Sequence, residues 1–89
     1  MGTSIKIGAK PFMNYINAVL MTLTSLNKTS VIIKARGKFT SRAIDIAQVV
    51  TKRYLNNSIK IEDISLGSYE FKANNRRSIS TIDITLKRN

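Results

Sequence analysis

The chain has 89 residues, enough for one domain with a modest core, and 43% of them are hydrophobic with no low-complexity tract, which argues against disorder. Fifteen Lys and Arg against five Asp and Glu leave a formal charge of +10, more than solubility demands, and point to an anionic partner. With no Cys and no His, disulfides, thiolate chemistry, imidazole metal ligands and histidine catalysis are excluded.

Thr3 to Ile7 reads as a short strand with Ile5 and Ile7 on one side, ended by Gly8-Ala9-Lys10-Pro11. Pro11 suits the first turn of a helix, and Phe12, Ile16, Val19, Leu23 and Leu26 then recur at helical spacing, so a helix is expected over about Pro11 to Leu26. After the polar turn Asn27-Lys28-Thr29-Ser30, Val31-Ile32-Ile33 reads as a central strand buried on both faces and continuing to Arg36. Gly37 breaks it, and Thr40 or Ser41 can cap a second helix running to about Leu55. Asp45, Gln48 and Lys52 give that helix only a narrow polar stripe, so it is expected to contact more than its own sheet.

Beyond Asn56-Asn57-Ser58, Ile59 and Ile61 alternate with polar residues, and Ile64 and Leu66 do so after a one-residue slip, the mark of a β-bulge. Tyr69 and Phe71 lead to a basic turn from Lys72 to Arg77, and Ile82, Ile84 and Leu86 alternate in a last strand. The last two strands therefore make a projecting hairpin with a basic tip. The order is β-α-β-α-β-β over residues 1–89 as a single domain, an α+β two-layer sandwich with two helices on a four-stranded mixed sheet. The other face of the sheet is left to cover or water.

No segment has the pattern of a signal peptide, Lys6 stands where a myristoylation motif needs Ser or Thr, and no apolar run reaches the length of a membrane span. A soluble, cytoplasmic protein with no membrane partner is expected. The carboxylates Asp45, Glu62, Asp63, Glu70 and Asp83 stand near no obvious nucleophile. Glu62 and Asp63 should point to opposite faces of their strand unless the bulge intervenes. The four glycines match neither a dinucleotide fingerprint nor a phosphate-binding loop, so no enzyme, cofactor or metal site is expected.

The charge itself is uneven: seven cations and no acid precede Asp45, against eight cations and five acids from there on, or +7 and +3. Three clusters carry it. Lys10 lies beside the first helix N-terminus, where unpaired N–H groups and the helix dipole favour anions. Lys34 and Arg36 share a strand face, with Lys38 and Arg42 at the next strand-to-helix junction. If the two strands are parallel, both junctions lie at one edge of the sheet. The third cluster is Lys72, Arg76 and Arg77 on the hairpin tip, where arginine can enter a minor groove. Three separate clusters suit a surface laid along a duplex. A single-strand platform would need stacking aromatics, and Phe12, Tyr15, Phe39, Tyr54, Tyr69 and Phe71 sit mostly in core-like positions.

The segments Ile7-Gly8-Ala9-Lys10-Pro11-Phe12-Met13-Asn14-Tyr15, Ile33-Lys34-Ala35-Arg36-Gly37-Lys38 and Ser80-Thr81-Ile82 resemble the Alba family of archaeal chromatin proteins over nearly the whole chain. The family's fold is similar to the C-terminal domain of translation initiation factor three. The resemblance implies a homodimer whose body lies across the DNA backbone through Lys10, Arg36 and Lys38, while paired hairpins carrying Arg76 and Arg77 reach along the minor groove. It implies a dimer-to-dimer contact at Tyr54, a chromosome-associated location and a role in DNA condensation. The family often carries two adjacent lysines after the glycine, one of them an acetylation target. Here the first is Ala9, which puts that regulation in doubt and suggests a variant able to form a heterodimer with a two-lysine relative. Sequence-independent binding of double-stranded DNA is the leading expectation, with an RNA-binding or ribonucleoprotein role and a structural protein-interaction module as alternatives.

Overall fold

A computed structural model describes residues 3–55, 57–71 and 77–89, without the side chains of Tyr69, Glu70, Phe71 and Arg77. Strands β1 (Thr3–Lys6), β2 (Ser30–Arg36), β3 (Ile59–Phe71) and β4 (Arg77–Arg88) form one sheet in the order β1-β2-β4-β3. β1 and β2 are parallel and the other pairs antiparallel, the mixed sheet expected. Helix α1 (Phe12–Leu23) packs on β1 and β2, and helix α2 (Thr40–Val49) on β2 and β4.

Both helices lie on one face of the sheet, and this decides what each strand buries. Val31, Ile33 and Ala35 of β2, with Ile82, Ile84 and Leu86 of β4, are buried beneath the helices, while Ile32, Lys34, Thr81, Asp83 and Thr85 are only partly covered. β2 is therefore buried on one face, not on both as its β-branched run suggested. The helices contribute Ile16, Val19 and Leu23 from α1 and Ala43, Ile46 and Ala47 from α2 to this single core.

α1 stops three residues short of the expected Leu26. The Thr24 hydroxyl donates to the Leu20 carbonyl, Asn27 takes a left-handed φ of 54°, and Leu26 is left 56% exposed. Neither Thr40 nor Ser41 caps α2. A short 3₁₀ turn, Gly37–Phe39, runs directly into the helix, and the Thr40 hydroxyl donates back to the Gly37 carbonyl at 3.0 Å.

Gly37 holds φ +61°, and a Cβ there would stand 3.3 Å from Cγ2 of Ile79 at the base of the hairpin. Gly37→Ala should therefore lower unfolding free energy by about 1–2 kcal/mol in urea denaturation, since the left-handed conformation alone costs an L-residue about 1 kcal/mol. A change below a few tenths would mean the turn relaxes freely.

The expected bulge falls between Ile61 and Asp63, where the β3–β4 register shifts. Asp63 takes the position opposite Thr85, on the open face, and Glu62 reaches Lys87 at 3.8 Å. The bulge thus intervenes, and the two adjacent acids do not divide between opposite faces. β2 stops pairing with β4 at Thr81, but β3 and β4 continue together through Ser68↔Ser80 to Phe71↔Arg77. Four further residue pairs extend the hairpin about 13 Å past the sheet.

Candidate nucleic-acid interface

Because β1 and β2 run parallel as neighbours, their C-terminal ends leave the sheet at the same edge, with Lys6 in register with Lys34. This brings the first two predicted clusters together. The loop after β1 carries Lys10 and the loop after β2 carries Arg36 and Lys38, and all three side chains are exposed. Lys6, also exposed, extends the edge onto the open sheet face. It was absent from the predicted site, although the alternation of Ser4 and Lys6 with Ile5 and Ile7 signals the face it occupies.

Around the ends of β1 and β2 and the middle of β4 the edge is concave, a hollow of about 440 Å³ lined by Lys6, Ile7, Lys34, Ala35, Arg36, Phe39, Thr81 and Asp83. Lys34 donates to the Asp83 carboxylate at 3.0 Å, with both side chains about 40% exposed, so part of its charge is already answered within the fold. Such a half-exposed pair contributes on the order of 0–1 kcal/mol to stability. Lys38 lies over the ring of Phe39 at 5.5 Å, leaving its ammonium at the surface.

Arg42 is arranged differently from the other predicted cations. It is half-buried, and its Nη1 donates to the carbonyls of Gly8 at 2.6 Å and Lys10 at 2.7 Å, tying the start of α2 to the loop after β1. Its guanidinium lies 5.7 Å from the ring centre of Tyr15 and 5.9 Å from that of Phe12. From within the fold, the buried Tyr15 hydroxyl accepts the N–H groups of Gly8 at 2.9 Å and Lys10 at 3.1 Å. Lys72 and Arg76 lie outside the described residues, as does the side chain of Arg77, whose backbone opens β4 opposite Phe71.

At the opposite end, α2 passes into a π-turn, Val50–Tyr54, in which the Leu55 N–H donates to the Val50 carbonyl five residues back. In a continuing α-helix, position 54 would stack over buried Val50. The extra residue gives that place to Leu55, which packs against the core, and leaves Tyr54 49% exposed. Tyr54 is thus a surface aromatic, against its core-like reading in the sequence, whereas Tyr15 is buried and Phe12 and Phe39 pack on the core.

Past Ile59, which is buried in the core, β3 lies beyond the helices. Ile61, Ile64 and Leu66 pair with buried Leu86, Ile84 and Ile82 and so share the core-side face, yet they are 40%, 53% and 76% exposed. With Ile44 of α2 at 42%, they leave apolar surface uncovered next to the core. Among the described residues no acidic side chains cluster as a metal site, and no helix is long and apolar enough to cross a membrane.

These features define a class: a small basic α+β sandwich with its loop cations at one sheet edge, a hairpin extending past that edge, and an apolar outer strand. The model of the Alba family matches residues 3–68. The DNA/RNA-binding protein Alba of Methanococcus maripaludis is 42% identical over 88 residues, covering 97% of this chain and 98% of the relative, and that of Nanoarchaeum equitans is 41% identical over 83, covering 90% and 91%. Alba from Thermoplasma volcanium superposes with a TM-score of 0.83 at 36% identity, covering 97% of this chain and all of that one. ALBA1 from Trypanosoma brucei, at 11% identity and a TM-score of 0.76 over 97% of this chain and 68% of its own, shares the fold alone. The chain belongs to the Alba family.

Proposed function

We propose that this protein is a non-enzymatic binder of double-stranded DNA that acts through the phosphate backbone, without regard to sequence, and contributes to chromosome organisation. The observation that carries the reading is the shared edge, where Lys6, Lys10, Arg36 and Lys38 are exposed and the nearby Asp83 is engaged with Lys34. Cations aligned this way answer a repeating polyanion better than one compact ligand. Lys72, Arg76 and Arg77 would add minor-groove contacts from the hairpin tip. The names of the relatives, DNA/RNA-binding protein Alba, agree with this chemistry and keep RNA as a second ligand.

The uncovered apolar residues of β3 supply a reason for the chain to pair with itself, giving a homodimer, while Tyr54 suits a contact between dimers laid side by side. Ala9 leaves Lys10 as the one lysine of its loop, so acetylation of an adjacent pair is not available there, and a heterodimer with a two-lysine relative would restore it in one subunit. A chromosome-associated, cytoplasmic protein follows from the same reading.

Competition tests it. Two DNA duplexes of unrelated sequence and equal length should displace a labelled duplex within a factor of about three of one another, since phosphate contacts carry no sequence information. An RNA duplex competing more than tenfold better than either would move the reading to a ribonucleoprotein role. A tenfold difference between the two DNA sequences would overturn sequence independence.

A further inference from the structure

We propose that Arg42, although one of the cations of the basic edge, is a positioning residue that holds the Gly8–Lys10 loop so that Lys10 meets the backbone. This rests on the phosphate-binding reading of Lys10 and reassigns a neighbour's part in it. The loop is pinned from two sides: both carbonyls, of Gly8 and Lys10, accept from Nη1 of Arg42, and both N–H groups donate to the Tyr15 hydroxyl. The backbone polar groups on either side of Ala9 are thus committed to the fold, and the Lys10 side chain remains exposed.

The arrangement uses what is particular to arginine. A guanidinium can lie beside the rings of Tyr15 and Phe12 while pointing one nitrogen at two carbonyls, and its planar fork is preorganised for this. A lysine ammonium carries the same charge on a flexible stem and lacks that plane. Two residues 32 positions apart, Lys10 and Arg42, are therefore one unit, in which the charge of Arg42 is directed inward at carbonyl oxygens and that of Lys10 outward.

Arg42→Lys separates positioning from direct contact because it keeps the charge but gives up the guanidinium plane beside the two rings and shortens the reach to the two carbonyls. Duplex affinity would be measured across a salt series for the wild type, K10A, R42K and the double variant, with thermal melts to establish that each is folded. K10A should reduce the salt slope by roughly 1 for each phosphate it no longer neutralises. The expected result is that R42K weakens binding and reduces the slope nearly as much as K10A, and that adding it to K10A changes affinity less than twofold. Amide exchange at Lys10 should quicken in R42K. Retention of wild-type affinity and slope by R42K, or fully additive effects in the double variant, would overturn the proposal while leaving the binding reading in place. A K10A variant with wild-type affinity would instead remove the reading of Lys10 itself.

Discussion

Reversing charge at Lys10, Arg36 and Lys38 to glutamate should abolish duplex binding while the protein stays folded and keeps its oligomeric state. Each substitution changes the local charge by two units, so one chain loses six at the edge where the phosphates are expected. Repulsion then replaces attraction at all three positions, and affinity at moderate salt should fall by more than about 10³. Lys10 and Lys38 are exposed, so reversing them costs the fold little, and circular dichroism reads whether the Arg36 change does as well. The Lys38 stacking on Phe39 is a surface contact worth about 0.5–1 kcal/mol. Fluorescence anisotropy of a labelled duplex, with circular dichroism and sedimentation in parallel, reads all of this. Binding within tenfold of the wild type would place the ligand elsewhere on the molecule, and loss of dimerisation with binding retained would favour a protein-interaction module.

The complementary variant, Ile64→Lys with Leu66→Lys, should prevent the proposed dimer from forming, with little loss of monomer stability. These side chains are 53% and 76% exposed in the single chain, so folding depends on them far less than on Ile84 and Ile82, their buried partners in register. Burying a large aliphatic side chain contributes about 1.5–3 kcal/mol, and a dimer would bury four of them from these two positions. Even with a partial share of that total, introducing four lysine ammonium groups into the contact should raise the dissociation constant by at least about 10³. Sedimentation at micromolar concentration should find a dimer for the wild type and a monomer for the variant. A dimeric variant, or a monomeric wild type, would show that β3 meets water or another partner.

The two sets of changes lie on different parts of the molecule, and their legibility in the sequence differed for physical reasons. Element order, the bulge and the hairpin could be read because each leaves a local mark: a 3.6- or 2-residue period, a one-residue slip at Glu62, a polar basic turn. The meeting of Lys10 with Arg36 and Lys38 needed one further assumption, that β1 and β2 are parallel, and they are. What alternation could not reveal is which strand the helices fail to cover. Ile64 and Leu66 repeat in the same way as Ile82 and Ile84, but β3 lies at the sheet's outer edge.

Pairings across long separations were equally hidden. Nothing local to Lys34 announces Asp83, 49 residues on, and nothing local to Arg42 announces the carbonyls of Gly8 and Lys10. Composition therefore counted both cations as available to a ligand, although the fold occupies one in part and directs the other inward. The helical spacing that sets Tyr54 toward the core fails for a subtler reason. Helical spacing assumes 3.6 residues per turn, and the π-turn inserts a residue just before the helix ends, exchanging Leu55 for Tyr54 in the core.

The shared cationic edge makes one claim above the others: affinity comes from neutralising phosphates. Titration of two unrelated DNA duplexes between 50 and 200 mM salt tests it most directly. If about six phosphates are neutralised per complex, log affinity should fall against log salt with a slope near −5, a loss of roughly 10³, for both duplexes alike. A flat salt response, or a steep preference for one duplex, would contradict it.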